Sequence, residues 1–465
     1  MYDEKLMELE LQKAAAFYCE GLTIQEISEI VSQPLSEVQR MIQHAEQSGY
    51  FEYRPQLFPN RILPEVGAYI KDEVLTAALR RVLNESLELR LITLHIARSP
   101  ASMFRLYEIE ADESSVAHKK YREAELVSLK LCGSKAADHL CSKLFDDRDH
   151  TIGVNWGNAV KLTIDQIRPM PSTLRDGLLS VISLFGDLDF HPQQPLTGQK
   201  TFNHVNCNRH VQQLAMRLGS RSEAVSLSVP GFIPSHFAED GATLEAIRSF
   251  LGSHASYQRI FGDLPGNDPV RPRAYNGIID VDSDAHITKM DTIITGFGSA
   301  DTYTDAFHYL SFWLSEEESQ ILRSHCREGR VVGDIAGHLV PSIKGEKDDV
   351  LMRFLRRINS RILAAQPSDF VDVACRHRKN GLGAGVVGVT VGARKAKILA
   401  RLLSKSPAPV SALFIDTHLA LSLLADLSPT EFGTYLRGAE GRLLVEDAKE
   451  WSAGTQTLIP ALSHI

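Results

Sequence analysis

From residue 71 to residue 427, short apolar runs alternate with amphipathic segments, and this alternation constrains the fold more than any other feature of the chain. The runs are "LELRLITLHI", "HTIGVN", "LLSVISLFGDL", "EAVSLSVPGF", "MDTIITGFG", "GAGVVGVTVG" and "VSALFID". Between them lie helix-forming stretches, among them "KDEVLTAALRRVLNES", "ELVSLKLCGSKAADHLCSKLF", "NRHVQQLAMRLG", "GATLEAIRSFL", "ARKAKILARLL" and "THLALSLLADL". A strand that is apolar on both faces needs cover on both sides. Strand-helix alternation supplies it by laying helices on the two faces of a parallel sheet. The expected class is therefore α/β, with a doubly wound, mostly parallel sheet domain over 71–427. Two stretches break the pattern, near 97–122 and near 252–289, and read as inserted loops or small subdomains. Residues 428–465 read as a C-terminal extension and 56–70 as a linker.

The first fifty-odd residues read as a separate unit of three helices over 1–55. "ELQKAAAFYCE" is helix-prone and runs to Gly21, and Thr23 with Glu26 forms a capping box for the next helix. Ile24, Ile27 and Ile30 give that helix one apolar face. After a break at Ser32-Gln33-Pro34, a third helix carries Val38, Met41, Ile42 and Ala45 at helical spacing and stops at Gly49, with "YFEY" as a short wing. Two short helices around a tight turn are the arrangement that places a second helix in the DNA major groove, with Thr23, Gln25, Leu35, Ser36, Gln39 and Arg40 as candidate contacts. A plain three-helix packing module fits the same pattern. Charge opposes DNA: residues 1–53 hold ten acidic side chains against Lys5, Lys13 and Arg40, a net of −7 in a chain whose total is −8. Phosphate contacts would then fall to Arg40, Arg54 and helix amides.

In open parallel sheets, ligands bind beyond the carboxyl ends of strands. "GVNWGNA" places Gly153, Asn155, Gly157 and Asn158 at one such end, and "TGFGSAD" places Gly296, Gly298 and Ser299 at another. "VVGDIAG" brings Gly333 and Asp334, "TVGARKA" brings Gly392, Arg394 and Lys395, and "FIDTH" brings Asp416. Glycines allow close backbone approach, cations at a helix start favour an anion, and aspartates accept sugar hydroxyls. The combination suits a phosphorylated sugar or polyol.

Taken in order, the helix pair, "IGVNWG", "TGFGS", "VVGDIAG", "GARKAKILARLL" and "LFIDTHLALSLL" resemble the SorC family of bacterial transcriptional regulators. The resemblance implies a sugar-binding domain similar in fold to ribose-5-phosphate isomerase and glucosamine-6-phosphate deaminase. It also implies a double-stranded DNA operator, a phosphosugar effector, and a homodimer or homotetramer. The chain departs from the family pattern at Asn155 and Ala159, where hydroxyl residues are usual, at Val391, at Thr417 and at Pro34-Leu35, while Arg40 matches.

Two other classes compete. One is a phosphosugar isomerase or deaminase with Asp334 or Asp416 as general base. The other is a paralogue without DNA binding, acting through protein contacts of its acidic N-terminal unit. No catalytic residue, cofactor or metal is expected. His204, Cys207 and His210 have tempting spacing but lack a fourth ligand. Cys375 and His377 lack an orienting partner. Arg353, Arg356, Arg357 and Arg361 read as a solvated basic face or an oligomer contact. Six dispersed cysteines, an acidic N-terminus and the lack of a long apolar run lead to the expectation of a cytoplasmic protein without a membrane segment.

Overall fold

The computed structural model describes residues 2–19, 22–48, 73–86, 93–97, 116–144, 148–167, 177–187, 206–219, 221–238, 241–262, 285–300, 307, 310 and 313–438. Gly21, Gly49, "YFEY", Arg54, the 56–70 linker, His204 and residues 439–465 lie outside them, as does much of both stretches read as inserts.

Seven strands form one sheet: β1 (Thr93–Ala97), β2 (His150–Val154), β3 (Leu179–Ser183), β4 (Ser222–Val225), β5 (Thr292–Thr295), β9 (Gly385–Val389) and β10 (Ala412–Asp416), in the order β1-β10-β9-β5-β2-β3-β4. Every neighbouring pair is parallel. A second, antiparallel sheet joins β6 (Gly298–Ser299), β7 (Val331–Ile335) and β8 (His338–Pro341). The five inner strands of the large sheet are buried along their whole length, whereas the edge strands β1 and β4 are partly exposed.

Strand side chains alternate between faces, and the core divides accordingly. Ile182, Ile293, Val386 and Leu413 belong to one apolar cluster, and their neighbours Val181, Ile294, Val387 and Phe414 to another. The first cluster includes buried residues of helices Glu73–Ser86, Asp349–Asn359, Pro367–Asn380 and Thr417–Leu427. The second includes those of Val116–Leu144, Asn158–Gln166 and Cys207–Leu218. Leu22, Ile27, Val38 and Ala45 of the N-terminal helices are also part of the second cluster.

The order of strands has one consequence for function. From β2 the chain moves outward through β3 and β4, then returns to the other side of β2 with β5 and continues through β9 and β10. The crevice beyond the carboxyl ends of β2 and β5 is thus the topological switch point, where such sheets bind ligands.

The N-terminal helices are Tyr2–Cys19, Ile24–Val31 and Leu35–Gln47. The second opens with the capping box expected from sequence: Thr23 Oγ1 accepts from the Glu26 amide and Glu26 accepts from the Thr23 amide. Ser32, at φ 54°, ends it, and Pro34 precedes the third helix.

The structure adds detail to several expectations and corrects others. The long helix starts at Val116, so the end of the stretch read as an insert near 97–122 is helical. The stretch 252–289 holds helices Ala255–Phe261 and His286–Lys289, whose Tyr257, Ile260, Phe261 and Ile287 are buried. Residues 429–437, at the start of the stretch read as a C-terminal extension, form a helix that packs on the core. Helix Pro429–Arg437 buries Phe432, Tyr435 and Leu436 in the first cluster, and its Glu431 pairs with Arg81 at 3.3 Å. "VVGDIAG" is not a loop after a parallel strand. Asp334 lies inside β7, and the chain reverses at Ala336-Gly337, both at positive φ, in a two-residue hairpin. The basic face of Asp349–Asn359 is not uniformly solvated: Arg361, just beyond it, is buried and pairs with Glu318 at 3.0 Å, as does Arg357.

Candidate functional site: a polar pocket at the switch point

One cavity of about 130 Å³ opens where the loops after β2, β5 and β9 meet β7 and the long helix Val116–Leu144. Nine residues singled out from sequence line it: Asn155, Gly157, Asn158, Gly296, Gly298, Ser299, Asp334, Arg394 and Lys395. Their convergence follows from topology, because β2, β5 and β9 are consecutive in the sheet.

Each wall has a local cause. Asn155, buried, ties the two sides of the switch point together. Its amide group donates to Thr295 Oγ1 at 2.9 Å, its Oδ1 accepts from the Trp156 N–H at 2.9 Å, and its backbone N–H donates to the Ile294 carbonyl at 3.0 Å. The Asn155 side chain is therefore spent on holding the loop. Trp156 rests on Phe185, with ring centroids 5.7 Å apart. Gly157, at φ 110°, starts helix Asn158–Gln166 with no side-chain cap, and its missing Cβ faces open space. The first amides of that helix border the cavity, a natural seat for an anion.

On the opposite wall, Asp334 presses against Gly298. A Cβ on Gly298 would sit 1.7 Å from Asp334 Oδ1, so only glycine admits the carboxylate there. Asp334 Oδ2 accepts from the Gly337 N–H at 3.0 Å, while Oδ1 is buried without a hydrogen-bond partner among the described residues. Burial pushes the carboxyl up to about 6; the Gly337 hydrogen bond and the charge of Lys395 pull the other way. A buried acceptor left unpaired is costly, and its residue is among those that line the cavity.

Arg394 and Lys395 stand in a 3-10 turn, Ala393–Lys395, and the α-helix proper begins at Ala396. Lys395 is thus the N-cap residue, at the helix start where the sequence places a cation. Ser299 Oγ donates to the Arg394 carbonyl at 2.9 Å and fixes this turn. Arg394, buried, faces Glu125 at 3.8 Å.

Four expected residues are not in the cavity. Gly153 is a packing glycine: a Cβ would meet Met290 Sδ at 2.3 Å. Gly333 lies in β7 against the Gly298 carbonyl. Gly392 donates its N–H to Asp416 Oδ1 at 3.0 Å, and the same oxygen accepts from the Leu419 N–H at 3.0 Å. Asp416 is therefore the fully buried cap of helix Thr417–Leu427. A short polar side chain at a helix start has this role more often than a ligand contact.

Sequence reasoning missed Glu125 and Leu129, which reach the cavity from the long helix. No glycine or strand end marks them. Phe297, Trp156 and Ala159 also line the cavity. Of the tempting metal set, Cys207 Sγ donates to the Val154 carbonyl, and burial pushes its thiol up to about 11. His210 Nδ1 lies 3.2 Å from the Asn155 carbonyl. His377 Nδ1 lies 2.9 Å from the Leu382 carbonyl.

The candidate DNA contacts are all at the surface. Thr23, Gln25, Leu35, Ser36, Gln39 and Arg40 are exposed. Arg40 pairs with Glu37 on its own helix. Among the described residues no helix is long and apolar enough to cross a membrane.

Fold and site together define an α/β protein with a polar pocket at the switch point of a parallel sheet and a helical module at its N-terminus. Solved structures similar to it include the full-length sorbitol operon regulator SorC from Klebsiella pneumoniae, at 14% identity and a TM-score of 0.46, over 90% of this chain and 99% of that one. A transcriptional regulator from Streptococcus pneumoniae TIGR4 (13%, 0.46, over 76% and 98%) and a DeoR family transcriptional regulator from Listeria monocytogenes (14%, 0.44, over 75% and 99%) are also similar. No family model and no curated protein matches the sequence.

Proposed function

We propose that the chain is a DNA-binding transcriptional regulator whose operator affinity is set by a phosphorylated sugar or polyol held in the switch-point pocket. The observation that carries this reading is the pocket's pairing of an uncapped helix start and two cations with Asp334, whose Oδ1 is buried without a hydrogen-bond partner among the described residues. The first two suit a phosphate and the third a sugar hydroxyl. A dry cavity of about this size holds a benzene-sized group, so the enclosed space suits the phosphate and adjacent carbons, with the rest of the ligand at the mouth. Nothing in the reading calls for a cofactor or metal. A panel of fructose 6-phosphate, glucosamine 6-phosphate, ribose 5-phosphate and inorganic phosphate in thermal-shift titrations tests it. A parent chain that no member stabilises would remove the effector from the reading.

The N-terminal unit, 1–55, is on this reading a helix-turn-helix domain, joined by the 56–70 linker to a sugar-binding domain of the ribose-5-phosphate isomerase type. Gln39 and Arg40 are the side chains that reach base edges or phosphates. Arg40→Ala is expected to cost about 1–3 kcal/mol of operator affinity. Unchanged affinity in a gel-shift titration would favour a module that contacts protein instead. The low cation count makes one helix pair a weak binder, and two copies on a palindrome raise the effective concentration. We therefore expect a homodimer or homotetramer assembled through the α/β domain. Light scattering on residues 56–465 checks this, and a monomer there would count against it.

An isomerase or deaminase reading draws on one observation, the Asp334 carboxyl raised to about 6, where a general base is useful. Release of product from any of the sugar phosphates by purified protein would establish that reading.

A further inference from the structure

The long helix Val116–Leu144 is shared by the pocket and the N-terminal unit. Glu125 and Leu129, one helical turn apart, line the cavity. Lys130, next in sequence and so about 100° further around the helix, points away from it to Glu26. Lys130 Nζ donates to Glu26 Oε1 at 2.8 Å, and both side chains are largely buried, at 20% and 15% exposure. Glu26 serves twice, because its Oε2 accepts from the Thr23 N–H at 2.8 Å and from Thr23 Oγ1 at 2.9 Å. One carboxylate thus closes the cap of the helix pair and docks that pair on the α/β domain. Leu22 and Ile27 lie in the same apolar cluster as Val127 and Leu131.

We propose that Lys130 and Glu26 form the contact through which occupancy of the pocket reaches the N-terminal helices. This rests on the reading of the pocket as an anion site. The pocket already holds two carboxylates, Glu125 and Asp334, against two cations, Arg394 and Lys395. An incoming phosphate takes Arg394 and repels Glu125. Asp334 is fixed in β7, so Glu125 gives way, and with it the helix that carries Lys130. The docking of Glu26 then loosens. Ligand and helix pair bias the same rigid element, which is what coupling between two sites requires.

Hydrogen exchange measured on the full-length chain tests this, with fructose 6-phosphate and inorganic phosphate as probes. In the parent, a probe is expected to slow exchange in segments 155–159 and 393–396 and to speed it in 24–47 by about fivefold or more. Lys130→Met keeps the alkyl stem in the apolar cluster and removes the charge. With it, the pocket segments should still respond and 24–47 should not, while Lys130→Arg should restore the response. Glu125→Gln needs no ligand. It should speed exchange in 24–47 on the parent background and leave it unchanged on Lys130→Met. A pocket that responds while 24–47 does not, or slows, overturns the coupling and leaves the pocket reading standing. So does a Lys130→Met chain that still transmits the response. A pocket silent to both probes overturns the two together.

Discussion

Lys395→Ala is expected to abolish the stabilisation that a sugar phosphate gives the chain, while Lys405→Ala leaves it intact. The two lysines flank helix Ala396–Leu403. Lys395 is its half-buried N-cap residue and lines the cavity, where unpaired amides and the helix dipole favour negative charge. Lys405 lies beyond the other end, outside the cavity lining, and burial and the neighbouring Arg401 disfavour its charged form. If the helix attracted anions merely by being basic, the two substitutions would weaken binding alike. A hydrogen bond between charged groups contributes about 1.5–3 kcal/mol, so losing it weakens binding roughly tenfold to a hundredfold. At a ligand concentration a hundred times the parent Kd, stabilisation falls from about 2.7 kcal/mol to about 0.4 kcal/mol for a hundredfold loss. Thermal-shift titrations of both variants read this directly. Equal losses in the two would assign the effect to the basic helix as a whole.

Asp334→Asn is expected to make the unliganded chain more stable at pH 8 and less able to hold its ligand. Burial raises the Asp334 carboxyl from 3.8 to about 6. Between those values the folded chain keeps a proton that the unfolded chain has lost. Stability therefore falls as pH rises from about 4 to about 6, and above 6 the whole loss is present. Two pKa units correspond to about 3 kcal/mol, an upper figure for a single buried group. Asparagine is isosteric and never ionises, so it should flatten this slope, with little gain at pH 4 and up to about 3 kcal/mol at pH 8. Its carbonyl can still accept from Gly337. The Oδ1 position, which has no hydrogen-bond partner among the described residues, becomes a donor if the amide turns that way, and a sugar hydroxyl that reached it would lose its acceptor. Urea unfolding at pH 4, 6 and 8, paired with ligand titration at pH 8, separates the two effects. An unchanged pH slope would mean that Asp334 is not the group responsible. A gain in stability without loss of binding would take the carboxylate out of the ligand site. A destabilising charge kept at a cavity is what a stability–function trade-off predicts.

The sequence by itself determined the class of fold and most of the pocket. Apolar runs short enough for strands, spaced by amphipathic stretches, leave few alternatives to a covered parallel sheet, and strand ends in such a sheet point to one edge. Glycine, serine and charged residues at those ends were therefore legible as a group, and nine of thirteen meet in one cavity. The capping box at Thr23/Glu26 was legible because both partners sit within one turn of chain. Local pattern could not tell a ligand contact from a cap. Asp416 and Asp334 look alike in sequence, each next to a strand and a glycine or helix, yet one is spent on two backbone amides and the other keeps a bare oxygen. Only tertiary structure decided that, because it depends on whether Gly298 of β6 lies against Asp334 of β7. It also decided the roles of Glu125 and Lys130, neither of which stands beside a glycine or a strand end in the sequence. Their partners Arg394 and Glu26 lie hundreds of residues away in one case and about a hundred in the other. Such pairs are set by how a helix is laid across a sheet and what docks on its outer side, and no spacing along the chain encodes that.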